Sequence, residues 1–228
     1  GGPGYNYHSQ INKNELSLIE VRSHIWRDVI FVNPDGMAKP FEETHKPLLD
    51  RWSVFDQPMY SDMSDSSFKL NVNTNWKLAV ENYLESYHLP WIHPGLNSYS
   101  KLEDHENIVE YEHYSGQISH KYIPRYSTGK YFREFKNLGS EWDTKGEYIV
   151  LFPNLILGVQ KDHVFNLIIE PLAPNQIKEH VEIYYSEPSM LGDEYQQTRQ
   201  ENAKLWKTVF EEDIFVVEGM QKGRNAKG

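Results

Sequence analysis

Residues 147–186 constrain this chain more than any other part of it. They read as four apolar, β-branched runs: 147–152 (EYIVLF), 154–160 (NLILGVQ), 163–170 (HVFNLIIE) and 177–186 (IKEHVEIYYS). Pro153-Asn154, Lys161-Asp162 and the 171–176 segment separate them. Connections this short cannot cross over a sheet, so successive strands must pair antiparallel. Such a meander curves and needs a cover on one face. The stretch 193–221 supplies it as a long helix, with Tyr195, Leu205, Val209 and Phe210 toward the sheet. The expected fold class is α+β, of the helix-grip type: a curved antiparallel sheet covered by helices.

A second stretch, 75–95 (NWKLAVENYLESYHLPWIHPG), carries chemistry. Trp76, Val80, Tyr83 and Tyr87 recur at helical spacing as one buried stripe, and Glu81, Glu85 and His88 form another. Pro90 removes a backbone donor, so regular helix is expected to stop just after His88. Without that break His93, five residues on, would point about 140° away, at roughly 100° per residue. An interruption lets His93 swing back beside His88, and two imidazoles with a nearby carboxylate suit a borderline divalent metal.

The pattern NWK-x3-EN-x2-E-x-YH-x4-HP resembles the iron-binding segment of the Rieske non-haem iron oxygenases, in the catalytic domain of their large (alpha) subunit. That family has a START-like helix-grip fold, as the residues themselves imply. The resemblance puts His88 and His93 on a mononuclear Fe(II) and makes Glu85 the acidic bridge for an electron from a neighbouring subunit's Rieske [2Fe-2S] centre. Glu85 replaces the more usual Asp, which keeps the charge and lengthens the side chain by a methylene. In 210–223, EDI-x3-E-x2-Q-x-G resembles the segment supplying the family's third ligand, which selects Asp213 over Glu211 and Glu218, with Glu212 in reserve. Such a 2-His-1-carboxylate triad leaves open positions for O2 and substrate. The resemblance further implies a homotrimer or larger oligomer and a reductase or ferredoxin donor. The reaction it implies is hydroxylation or demethylation of a small organic substrate, as in the choline and betaine branches.

Composition sets limits on this reading. A chain of 228 residues with 39% hydrophobic and 14% aromatic content can bury one core plus a small appendage. A net charge of −10 argues against nucleic acid and anionic membrane as partners. No apolar run approaches the ~20 residues that span a bilayer, and no signal peptide opens the chain, so a cytoplasmic location is expected. The count of zero cysteines excludes disulfides, thiolate nucleophiles and a Rieske cluster within these residues, since that centre needs two Cys and two His. The expectation is a fragment: residues 1–40 as the tail of a Rieske domain, and 41–228 as the iron-bearing catalytic domain.

The remaining segments are read in order. Residues 1–14 form a loop, and 17–24 with 26–33 form two strands ended by the turn at Asn33-Pro34-Asp35-Gly36. His24 faces a strand neighbour, and His45 is solvated near helical turns around 41–52. Residues 68–72 lead as a strand toward the metal helix, 96–105 form an irregular cover, and 108–123 form a hairpin around Gly116 that places His113 and His120 in strands. Residues 124–145 shape a substrate mouth. Tyr99, Tyr122, Phe152 and Phe165 are either a cage for a quaternary ammonium group or core. Three further readings stay open. An aromatic-ring cis-dihydroxylating dioxygenase uses the same site. A helix-grip protein that only binds a ligand would have no use for the spaced Glu85, His88, His93 and Asp213. A zinc hydrolase lacks HExxH.

Overall fold

The structure is a computed structural model that describes residues 17–109 and 114–226. These form two compact units, one ending at Lys46 and one beginning at Pro47. In the first, β1 (Arg22–Trp26) and β2 (Val29–Asn33) make an antiparallel hairpin in which Ile25 faces Ile30. Its turn is Arg27-Asp28, both at positive φ (51° and 62°), as a two-residue primed turn requires. The strand break therefore falls two to three residues later than the sequence pattern implied, and 17–21 lie outside any strand. The chain turns again at Gly36, at φ 67°, whose N–H bonds the Asn33 carbonyl at 3.2 Å. In α1 (Phe41–Thr44) the Phe41 ring stacks on His24 at 4.2 Å and packs on His45 at 4.4 Å. His45 is thus half-buried against an aromatic ring, not solvated as expected.

The second unit begins in α2 (Lys46–Arg51) and continues into β3 (Ser67–Val72), α3 (Trp76–Tyr83), α4 (Leu89–Ile92), α5 (Pro94–Asn97), β4 (His105–Ile108) and β5 (Tyr114–Ser119). Then come β6 (Gly146–Leu151), β7 (Leu155–Val159), β8 (His163–Ala173), β9 (Gln176–Tyr185) and α6 (Gln196–Arg224). The strands form one seven-stranded antiparallel sheet in the order β3-β9-β8-β7-β6-β5-β4. The four-strand meander is present as the turn signals implied. Gly116 is not in a hairpin turn but inside β5 opposite Ile149, where a Cβ would collide with the Tyr148 carbonyl. The expected position of His113 lies outside the described residues, and His120 follows β5 on the surface, 3.0 Å from Glu106.

The strand order positions the helices. Because β3 pairs with β9, the helices that follow them, α3 and α6, meet on one face of the sheet. Asn202, Trp206, Phe210, Asp213 and Val217 recur every three or four residues along α6 and make its inward stripe. Trp206 and Phe210 pack on Phe165 of β8 with ring centroids 4.6 and 5.6 Å away. Each such buried side chain is worth about 1.5–3 kcal/mol of transfer free energy. Gly158 of β7 leaves room for the Phe165 ring, which a Cβ there would strike.

Candidate metal centre

Asn75 caps α3 by accepting from the Lys77 N–H at 3.0 Å. The helix ends at Tyr83, five residues before His88, so the break occurs earlier than Pro90 implied. Pro90 instead lies in the first turn of α4, where a missing N–H is harmless. Gln117 of β5 helps hold the early end: its amide donates to the Tyr83 carbonyl at 3.0 Å and the Glu85 carbonyl at 3.4 Å. Tyr87, counted on the buried stripe of a longer helix, is 68% exposed as a result. Glu81 points outward to Arg224 at 3.4 Å and takes no part in the site.

After the break, His88 and His93 converge, with Nε2 atoms 3.1 Å apart. Asp213 Oδ1 stands 3.0 Å from His93 Nε2 and 3.5 Å from His88 Nε2. One donor atom from each residue thus surrounds a single point. For an ion with bonds of about 2.1 Å, cis donors in an octahedron lie about 3.0 Å apart and trans donors about 4.2 Å. All three observed separations are cis. The donor set is one face of an octahedron, or three corners of a tetrahedron, and its chemistry fits a borderline divalent cation.

Each imidazole is oriented from behind. Glu85 Oε1 lies 2.5 Å from His88 Nδ1, and Glu212 Oε2 lies 2.8 Å from His93 Nδ1. A carboxylate there keeps the ring proton on Nδ1 and turns the Nε2 lone pair toward the shared point. Glu212, the reserve candidate for the third ligand, faces the back of His93 while its neighbour Asp213 faces the front. Burial pulls the His93 pKa down, but Asp213 and then Glu212 outweigh it, and the net shift is upward. Glu179 of β9, 8% exposed, is pushed up to about 7 by burial and by Asp213.

Residues 50–228 match the ring hydroxylating alpha subunit (catalytic domain) family. The chain belongs to this family. Among relatives, the chain is 24% identical over 220 residues to choline monooxygenase (chloroplastic) of Atriplex hortensis, an alignment covering 93% of this chain and 46% of the relative. It is 23% identical over 221 residues to the carnitine monooxygenase oxygenase subunit of Acinetobacter pittii, covering 95% and 56% respectively. It therefore spans about half the length of these relatives. Among solved structures it superposes on a quaternary ammonium Rieske monooxygenase with a TM-score of 0.73 at 18% identity, covering 98% of this chain and 57% of that one. That structure concerns carnitine oxidation and inter-subunit electron transfer. The shared fold is the helix-grip α+β architecture expected from the sequence.

A cavity opens beside the three donors, walled by Tyr83, Tyr148, Trp206, Val209 and Phe210. Among the described residues no Lys or Arg lines it. None of the four aromatics proposed from the sequence is on this wall. Phe152 is 70% exposed and packs on Trp76, Phe165 is fully buried core, and Tyr99 meets Tyr122 edge-to-face, with Tyr122 stacked on Trp206. Sequence reasoning missed Tyr148 and Trp206. Trp206 was legible, because it falls four residues before Phe210 on the stripe that also carries Asp213. His105 and Gln117 also reach the cavity, and their partners lie too far along the chain for spacing to reveal them. No helix among the described residues is long and apolar enough to cross a membrane.

Proposed function

We propose that this domain holds one Fe(II) on His88, His93 and Asp213 and serves an O2-dependent oxygenase acting on a small organic substrate. The convergence of those three donors, each imidazole backed by a carboxylate, carries the reading. Bound iron supplies O2 activation, with open positions beside the triad. The chain's own residues supply geometry. Glu212 and Glu85 fix the imidazole tautomers, and Tyr83, Tyr148, Trp206 and Phe210 exclude water from the reacting face.

Glu85 has a second task in this reading. It accepts the His88 Nδ1 proton and remains partly exposed, so it can bridge to a ligand of a Rieske [2Fe-2S] centre on a neighbouring subunit. A reductase or ferredoxin feeds that centre, and a head-to-tail homotrimer or larger assembly provides the neighbour. The β1–β2 hairpin belongs to the end of the Rieske domain, and the whole works in the cytoplasm. The substrate is an N-alkylated organic cation that is hydroxylated or demethylated. An aromatic cavity with no Lys or Arg among the described residues that line it favours such a cation over an anion, and the choline and carnitine relatives point the same way. Cis-dihydroxylation of an aromatic ring is the second reading, favoured by the same apolar wall. Supplying the domain with its Rieske centre, donor, iron and O2 tests the choice. Formaldehyde or a hydroxylated amine from trimethylammonium substrates supports the first reading, and a cis-diol from an aromatic hydrocarbon supports the second.

A further inference from the structure

One wall of the cavity beside the metal donors has its own base. Trp206, 3% exposed, precedes Asp213 by two helical turns on α6 and lines the same cavity as His88 and His93. Its indole nitrogen is 2.9 Å from His163 Nε2, and His163 Nδ1 is 2.6 Å from Asp162 Oδ1. An indole can only donate, so Nε2 accepts and the imidazole proton sits on Nδ1, donated to Asp162. His163 is fully buried and Asp162 is 4% exposed. The carboxylate fixes the imidazole tautomer and turns its Nε2 lone pair toward the indole proton. A backbone carbonyl would satisfy a buried indole without the desolvation cost of a buried carboxylate. The arrangement therefore does more than fill a hydrogen bond.

The neighbouring phenol lacks this provision. Tyr122 stacks on Trp206 at 5.7 Å, yet its hydroxyl is buried without a partner among the described residues. A phenol that loses an electron must shed its proton, and no described residue stands ready to accept it from Tyr122. Trp206 has such an acceptor.

We propose that Trp206, with His163 as proton acceptor and Asp162 behind it, is a one-electron donor that disarms the oxidant formed at the metal from O2 or peroxide when no substrate is bound. The inference rests on the iron reading above. In the step, the oxidant gains one electron from the indole while the indole N–H bond breaks and its proton forms a bond to His163 Nε2. A neutral indolyl radical and an imidazolium–carboxylate pair remain. An external one-electron reductant such as ascorbate restores the indole, and His163 returns the proton.

The test mixes iron-loaded protein with hydrogen peroxide without substrate, freezes it within the turnover time and records the electron paramagnetic resonance spectrum. A nitric oxide adduct of the same batch reports the iron site independently. The expected result is an indole-centred radical in the wild type that is lost in Trp206→Phe, with oxygen insertion then moving to the peptides bearing His88 and His93. His163→Gln keeps an acceptor but supplies no base, so its radical should be lost or appear in the protonated form. A normal iron adduct with no indole radical, or a radical unchanged in either variant, overturns the proposal. Absence of the iron adduct overturns the iron reading, and this role with it.

Discussion

His93 sits between two carboxylates with different jobs, Asp213 toward Nε2 and Glu212 toward Nδ1. If Glu212 orients the ring, Glu212→Gln should weaken Fe(II) binding by roughly 10–100-fold while leaving the fold intact. Anaerobic titration calorimetry reads this, and Glu211→Gln is the control, because Glu211 is exposed and next in sequence. Equal affinities in the two variants would refute the orienting role. Glu85 makes the corresponding contact to His88 but is also the proposed electron bridge. Glu85→Gln should therefore keep most of its iron while the reduced Rieske centre of the assembled enzyme persists in substrate and O2. A wild-type rate of cluster reoxidation in single-turnover kinetics would reduce Glu85 to an orienting residue. The choice of Asp213 over Glu212 came from the family resemblance of the 210–223 segment, and the helix geometry is consistent with it. Position 213 continues the inward series of 202, 206, 210 and 217, and a neighbour turned about 100° away cannot share its direction.

At the scale of elements, the end of α3 depends on a polar chain from the sheet. Ser119, Ser100, His105 and Gln117 link in that order, at 2.6, 3.0 and 2.7 Å, and Gln117 then donates to the carbonyls of 83 and 85. Because the Gln117 amide donates at that end, its oxygen accepts from His105 Nδ1–H. Burial holds the His105 pKa below the ordinary 6.5, with Gln117 opposing. A base with a lowered folded pKa contributes stability above the unfolded value, and that contribution is lost as pH falls through 6.5 toward the lowered value. Urea midpoints on either side of that pH should therefore drop on the acid side in the wild type, and the drop should be smaller in His105→Gln. Identical profiles would show that His105 does not gate this end of α3. Gly116→Ala belongs to the same scale. Forcing a Cβ against the Tyr148 carbonyl should cost about 1–3 kcal/mol by urea unfolding. A neutral effect would mean that β5 shifts away freely. The sequence located the break in the 75–95 segment but assigned it to Pro90, because proline is the local signal there. The structure places Gln117, 32 residues beyond Glu85, at the helix end, and no periodicity reports a contact that distant.

For the whole molecule, turn chemistry at 153–154, 161–162 and 171–176 was enough to read the meander, and the meander with one long helix was enough to read the architecture. What stayed hidden was the closure of β3 onto β9, a pairing between residues 67–72 and 177–182 that sets α3 against α6. That closure brings His88 and His93 to Asp213 across some 120 residues. With no cysteine among its 228 residues, the chain holds no Rieske cluster to relay a second electron. These residues alone should show no NADH-driven product formation with a reductase, and adding a Rieske centre in the assembled enzyme should restore it. Turnover by the 228 residues alone would refute the inter-subunit route. The central claim is the iron site itself. Diffraction at the iron absorption edge, from crystals of protein loaded anaerobically with Fe(II), tests it most directly. The account predicts one anomalous peak about 2.0–2.2 Å from His88 Nε2, His93 Nε2 and an Asp213 oxygen, absent in His88→Ala. A peak elsewhere, or none at full loading, would contradict it.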